Sequence, residues 1–509
     1  MSSAPTPPAP SDLGPVPTSD PLATGGIGGH PRGLTTLFFT EMWERFSYYG
    51  MRALLMLFMV KTAAEGGLGF DTKAAATIYG TYTMSVYLLS ILGGFLADNF
   101  IGARRAVLVG GAVIASGHFA MAFNSQVTFF AGLVLIALGT GLLKPNISTM
   151  VGSLYRPGDE RRDAGFSIFY MGINLGAFLA PLVTGYLAQG PSWRRVLASA
   201  GLDPLHSWHW GFAAAGVGMT FGLVMYVAQR DRLAHVGHAP APSADGARPW
   251  GRLVLVGLGS LVLIGAMLAC DEWPQLVYGL FALQVAAILY FAFRPDADGK
   301  RLAAILVFFF AAEIFWAIFE QTGSTISLFA DRYTRNEVFG WSFPSSWWQS
   351  VNSVWVILLA PLFALLWIRL GPRQPSSPLK FTLGLLFVAL SFALMVPAAK
   401  LTAAGRVGPE WLLALFLVQT VGEMLLSPVG LSTMTKLAPD RLVGLVMGIW
   451  FLAAALGNKL AGVLAGDFNG EDPAQLATFF WHQALGVGAC TLVLLVLVPW
   501  IRRLMGGVR

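Results

Sequence analysis

Long apolar runs recur along almost the whole chain, broken only by short polar stretches. A helix needs roughly 20 apolar residues to cross the hydrocarbon of a bilayer. Measured with that ruler, the chain holds about fourteen spans. They lie near 34–61, 73–99, 104–123, 127–151, 163–188, 208–229, 251–270, 274–294, 302–331, 346–370, 380–398, 410–435, 441–465 and 475–501. Several are longer than a crossing requires, which predicts tilted helices that continue past the membrane. Composition points the same way: 12% of residues are charged, against about 25% in soluble globular chains, and the mean hydropathy is +0.63. The 58 glycines suit helices that approach closely in lipid. The formal charge of +6 is modest and sits in loops, so nucleic-acid binding is not expected.

Lysine and arginine in short loops set orientation. Arg104 and Arg105 follow the second span, Arg156, Arg161 and Arg162 the fourth, and Arg230, Arg232, Arg248 and Arg252 the sixth. Arg294, Lys300 and Arg301 follow the eighth, Arg369, Arg373 and Lys380 the tenth, Lys436 and Arg441 the twelfth, and Arg502, Arg503 and Arg509 end the chain. All share one side if both termini are cytoplasmic. The opposite loops carry fewer basic residues: Arg194, Arg195, Arg332, Arg335, Lys400 and Arg406. Residues 1–32, rich in Pro, Ser, Gly and Ala, read as a disordered cytoplasmic tail. They lack the charged n-region and apolar h-region of a signal peptide. Cys270 and Cys490 both lie in apolar runs. They are too few for a disulfide framework and show no metal-ligand spacing, so they read as packing residues, and no metal or cofactor is expected.

The polar stretch 231–250 divides the chain after six spans; two further spans then lead to six more. This arrangement predicts an all-α membrane protein with a major facilitator fold. Two six-helix bundles, 33–230 and 301–509, would flank a region 231–300 holding a cytoplasmic linker and an inserted helix pair. A substrate site is then expected near the midplane between the bundles. The inserted pair contains few polar groups and reads as peripheral, without a direct role in binding.

Ionisable side chains within membrane spans are costly and usually face a bundle interior or a wet cavity. Those deep in spans are Glu41, Glu44, Arg45, Arg52, Lys144, Glu313, Glu320, Glu423 and Lys459. Glu41, Arg45 and Tyr48 follow i, i+4, i+7 spacing, as do Arg45, Tyr49 and Arg52, while Glu44 and Tyr48 are i, i+4 neighbours, so one face of the first helix is polar. A structural ion pair within that helix and a functional site both fit this pattern. Lys144, in GTGLLKPNIS, has no acid in its own helix; Glu423, in GEMLLSPVGLS, is the best-placed acid of the other half. Glu313 shares a helix face with Glu320 but has no evident partner, and proton chemistry and structure fit it equally. Lys459 can pair, or snorkel near a helix end. His118 is taken as structural.

Four segments carry a family resemblance. EMWERFSYYG (41–50) resembles the complete E-x-x-E-R-F-x-Y-Y-G motif of the proton-dependent oligopeptide transporters, the peptide branch of the major facilitator superfamily. GGFLADNFIGARRAVLVGG (93–111) is similar to the loop shared across the superfamily, and FYMGINLGAFLAP (169–181) to the F-Y-x-x-I-N-x-G signature. GLLKP and GEMLLSPVGLS fall in the expected fourth and tenth bundle helices, and the inserted pair resembles that of bacterial members. The resemblance covers the chain from about residue 33 onward.

It implies a proton-coupled symporter that imports di- and tripeptides by alternating access. It also implies a monomer in the lipid bilayer of a bacterial inner (cytoplasmic) membrane, and no enzyme. By resemblance, Arg45 and Lys144 make the positive wall of the cavity and Glu423 the negative one. Tyr48, Tyr49, Tyr87, Asn174, Trp316, Asn352 and Trp450 line it. Glu320 takes part in proton coupling and can pair with Arg52; Glu41 and Glu44 join it. Asp98 and Arg104 gate the cytoplasmic side. Ala454 stands where some relatives have serine, and the second helix lacks the histidine of animal relatives. Opposite charges on two walls would orient a zwitterionic peptide, with arginine forking onto its carboxylate. Lys144 and Glu423 are expected to pair across the halves when no peptide is bound. The same scaffold also carries drugs, nitrate or metabolites, which is the alternative reading. No nucleophile–base pair, phosphate loop or ring of filter charges points to an enzyme or a channel.

Overall fold

The computed structural model describes residues 24–156, 159–233, 236–239, 250–272, 275–439, 443–468 and 472–506. Sixteen α-helices occur among them. They are α1 Arg32–Val60, α2 Thr72–Leu96, α3 Ala103–Met121, α4 Gln126–Ser153, α5 Arg161–Gln189, α6 Pro191–Ser199, α7 Ser207–Ala228, α8 Trp250–Glu272, α9 Gln275–Ala292, α10 Ala297–Phe319, α11 Thr325–Tyr333, α12 Gln349–Leu370, α13 Ser377–Leu401, α14 Glu410–Leu437, α15 Val443–Gly466 and α16 Pro473–Leu504. The one exception to an all-helical chain among the described residues is a small antiparallel hairpin, β1 Glu337–Val338 with β2 Trp341–Ser342.

Local chemistry sets the helix ends. Asp71, Asp296 and Asp472 precede α2, α10 and α16, and each carboxylate accepts a backbone N–H of the first turn. Prolines lie inside several long helices without ending them, as at Pro145 in α4 and Pro428 in α14. Beside Pro145, the Asn146 amide donates to the Leu142 carbonyl at 2.7 Å and the Gly93 carbonyl of α2 at 3.2 Å, so side-chain bonds brace the helix there.

Among the described residues, ten helical stretches are long and apolar enough to cross a membrane. The chain is therefore a multi-pass membrane protein by length and composition. Four of the fourteen expected spans fall outside that group, two of them because of their own charges. α1 carries Arg32, Glu41, Glu44, Arg45 and Arg52, and α3 begins with Arg104 and Arg105. The inserted pair is represented by shorter apolar stretches, Trp250–Ala266 and Phe281–Ala292.

Before the linker, α1 packs on α5 and α7, α3 on α4 and α7, and α2 on α4; after it, α13 packs on α14 and α16, and α10 on α15. The most extensive contacts between these sets are α2 with α15 and α5 with α12, and α1 also meets α11. The first is very close. A Cβ on Gly80 would lie 2.8 Å from the Cα of Gly462, so both positions need glycine for the backbones to meet. The inserted pair touches both sets, α8 against α2 and α9 against α10.

The first 23 residues of the expected tail lie outside the described residues. Residues 24–31 pack against the rest of the chain: the His30 Nδ1 and the Tyr155 hydroxyl are 2.9 Å apart, and the Ile27 N–H donates to Thr35. Residues 234–235 and 240–249 of the expected linker are likewise outside the description. Cys490 is a free thiol, and the side chain of Cys270 is not among those described.

Candidate functional site

Glu41, Glu44, Arg45 and Arg52 of α1 face inward and are buried. Helical spacing places Glu41 one turn before Arg45, and their side chains pair at 3.0 Å; Glu44, with no exposed surface, pairs with the same guanidinium. Arg45 also lies over the Tyr48 ring, 5.4 Å from its centre, and Tyr48 meets Tyr49 edge-on at 5.2 Å. Two buried carboxylates thus share one buried cation on a single helix. Their cost of burial is offset only while Arg45 stays between them.

Arg52, seven residues further along α1, has a different partner. Its guanidinium donates to the Glu320 carboxylate and to the Tyr79 hydroxyl, and all three groups are buried. Glu320 is placed there because α10 tightens after Phe319 into the 3-10 turn Glu320–Gly323. The expected Arg52–Glu320 pair is present, and it joins segments on opposite sides of the linker. Tyr79 was not foreseen; nothing in the local sequence of α2 marks it.

Lys144 and Glu423 do not pair with each other, contrary to expectation. The Lys144 ammonium sits 3.7 Å from the centre of the Tyr87 ring, a cation–π contact between α4 and α2. Glu423 accepts from the Asn352 amide at 3.1 Å, and the same amide donates to Thr420 at 3.0 Å. Each group has a partner within its own half, so neither depends on the other. Thr420, one turn before Glu423 on α14, is a member of this cluster that sequence reading missed.

Asn174 is buried on α5 and donates to the Tyr170 carbonyl at 3.0 Å. Trp316 is half-buried beside Phe315 and Phe319. Trp450 fills the space left by Gly430 and meets Phe381 edge-on at 6.4 Å, which is a packing environment. Asp98 is exposed and has no ion-pair partner among the described residues, so it does not meet Arg104. The Arg104 side chain donates to the Arg230 carbonyl at 3.3 Å. Glu313 does have a partner: Gln284, on α9 of the inserted pair, donates to it at 3.0 Å. The pair is therefore tied to a buried acid of α10. Lys459 donates to Thr81 of α2 at 2.9 Å, another link across the linker.

Further cross-linker bonds gather at the end formed by the C-termini of α1 and α5. Lys61 pairs with Asp331 at 3.0 Å. Gln189 donates to Ser345, Trp347 to the Leu182 carbonyl and Ser350 to the Phe178 carbonyl, at 3.0, 3.1 and 2.7 Å. Partial burial alone would lower the Lys61 pKa, but the adjacent Asp331 and Glu65 carboxylates outweigh it and raise the value. Among the described residues, no group of three or more His, Cys, Asp or Glu side chains could hold a metal ion.

Comparison with known proteins identifies the family. The model of the POT family, PTR2, matches residues 104–481. The peptide transporter YePEPT of Yersinia enterocolitica is 41% identical over 94% of this chain and 96% of its own length. A di-/tripeptide transporter of Lactococcus lactis is 38% identical over 94% and 98%. In structure, a glutamine variant of a peptide transporter solved with alafosfalin superposes with a TM-score of 0.82 at 40% identity, covering 96% of this chain and 98% of its own. A family match across most of the chain, together with relatives aligned over nearly their whole length, makes this protein a member of the POT family.

Proposed function

We propose that the protein is a symporter that imports di- and tripeptides together with protons by alternating access. The observation that carries this reading is the buried pair between Arg52 and Glu320 across the linker. Ionised, Glu320 neutralises Arg52. Protonated, it leaves a buried guanidinium in need of an anion, and a peptide carboxylate can supply one. Proton and peptide therefore bind in mutual support, which is the requirement for symport.

The remaining site residues take the following roles in this proposal. Arg45 and Lys144 form the cationic wall, with Tyr48, Tyr49 and Tyr87 around them; Glu41 and Glu44 hold Arg45 and join the coupling chemistry. Glu423, steadied by Asn352, receives the peptide ammonium, and Asn174, Trp316 and Trp450 border the cavity. Asp98 and Arg104 act at the gate. The architecture in this reading is two six-helix bundles plus the inserted pair, a monomer in the bacterial inner membrane with both termini cytoplasmic. The bonds at Lys61, Gln189 and Trp347 then close the outer end, so the arrangement faces the cytoplasm.

The direct test is uptake of a labelled dipeptide into proteoliposomes under an inward-directed proton gradient. Accumulation that requires the gradient and is competed by unlabelled dialanine supports the proposal. Gradient-driven uptake that dialanine leaves untouched, while a drug or nitrate competes, would assign the fold to another solute.

A further inference from the structure

A cavity of about 490 Å³ opens where α3 begins beside the end of α7. Its wall includes Ile101, Arg104, Arg105, Leu108, Val227 and Arg230, and the strand of linker Gly237–Ala239 closes one side. This is a built joint. The Arg104 N–H donates to the Gly237 carbonyl at 2.9 Å, its side chain to the Arg230 carbonyl at 3.3 Å, and the Tyr226 hydroxyl donates to the Arg104 carbonyl at 3.1 Å. Gly102, at φ +78°, lets the linker lie against the start of α3, since a Cβ there would sit 2.4 Å from the Ala239 nitrogen.

Three arginines line this cavity, and among the described residues no carboxylate does. Arg105 has no ion-pair partner among the described residues, and Arg230 has only Asp231 at 3.9 Å, whose side chain is 97% exposed. Beyond the arginines the rim turns apolar and open: Leu108 and Val109 on α3, Val224 and Val227 on α7, are all exposed. A cationic pocket at the end of an exposed apolar strip matches a molecule with a phosphate at one end and hydrocarbon at the other.

We propose that this cavity binds the phosphate of an anionic phospholipid headgroup, with the acyl chains running along the exposed faces of α3 and α7. Free inorganic phosphate shares the headgroup chemistry, but it would have no use for the apolar rim. The site is separate from the peptide cluster and does not depend on the transport reading.

The test uses the full chain, purified and delipidated in detergent, with bound lipid counted by native mass spectrometry against added phosphatidylglycerol, phosphatidylcholine or inorganic phosphate. Saturable, roughly one-to-one binding of phosphatidylglycerol is expected, with phosphatidylcholine much weaker and millimolar phosphate failing to displace the lipid. Arg105→Gln with Arg230→Gln should weaken it by about 25-fold, at about fivefold for each arginine beside an anionic headgroup. Leu108→Glu, at an exposed position, should weaken it as well, by placing a carboxylate on the rim. Unchanged thermal unfolding of both variants would confirm that they fold. Equal binding of the two lipids, or undiminished binding by both variants, overturns the site. Complete displacement by inorganic phosphate overturns the lipid assignment.

Discussion

Arg45 and Arg52 stand two helical turns apart on α1, both buried and both held by carboxylates, yet their partners differ in kind. Arg45 is held by Glu41 and Glu44 of its own helix. Arg52 is held by Glu320, 268 residues away on the far side of the linker. A pair within one helix travels with that helix and can survive any rocking of the halves. A pair between halves must stretch or break when they separate at that point. The first is thus suited to keep charge in the membrane at all times, and the second to sense the conformational state.

The strongest way to break this comparison is Arg45→Ala. It would leave Glu41 and Glu44 buried side by side without a cation, and removing one partner of a buried pair costs about 3–5 kcal/mol. We expect a large loss of thermal stability in detergent, followed by tryptophan fluorescence. Arg45→Lys should recover only part of it, because an ammonium cannot fork between two carboxylates. Full stability in Arg45→Ala would mean that the local pair holds nothing.

Next in size is Glu320→Gln, which removes the proposed proton site while keeping the shape. Gradient-driven dipeptide uptake should fall by about 100-fold, within the usual span of coupling energies. Counterflow, which needs no net proton movement, should persist. Retained gradient-driven uptake would remove Glu320 from the coupling.

The same contrast explains what was legible in the chain. The α1 cluster could be read from spacing alone, because i, i+4 neighbours on a helix meet whatever the tertiary fold does. Fourteen spans were expected and ten stretches among the described residues are long and apolar enough to cross; α1 and α3 fall short through their own charges, and the inserted pair through its shorter apolar stretches. The Arg52–Glu320 pair was reachable only through family resemblance, and Tyr79, Thr420 and the Lys61–Asp331 pair were not reachable at all. Their partners come from other helices, and no local period encodes which faces meet. Gln284 was overlooked because the apolar average of the inserted pair hides one amide, which bonds Glu313 at 3.0 Å. The expected Lys144–Glu423 pair failed because opposite charge alone does not choose a partner; Tyr87 and Asn352 lie nearer.

That failure suggests a smaller effect at the cationic wall. Lys144 rests on an aromatic ring and makes no direct ion pair among the described residues, and Glu41 and Glu44 keep Arg45 as their cation when Lys144 is removed. Lys144→Met should leave thermal stability nearly unchanged. It should raise the KM for dipeptides about tenfold, as for a cation–π and carboxylate contact of about 1–2 kcal/mol. The loss should be smaller for peptides whose C-terminus is amidated. A wild-type KM in Lys144→Met would exclude Lys144 from binding.

The smallest effect belongs to a second ion pair across the linker among the described residues, Lys61 with Asp331, which is partly exposed where Arg52–Glu320 is buried. Solvent screening makes such a pair weak, so Lys61→Met should lower the unfolding temperature only slightly. Its pH dependence is more telling than its size. The folded-state pKa of Lys61 is raised, so its contribution is fully present below the ordinary lysine value of 10.5. It fades as pH climbs from there through the raised value. Unfolding curves of wild type and Lys61→Met, recorded at rising pH, should therefore run parallel through the neutral range and converge only in strong alkali. Convergence at neutral pH would show that Lys61 and Asp331 do not hold that end of the molecule shut, and would leave Arg52–Glu320 as the ionic tie between the halves on which closure rests.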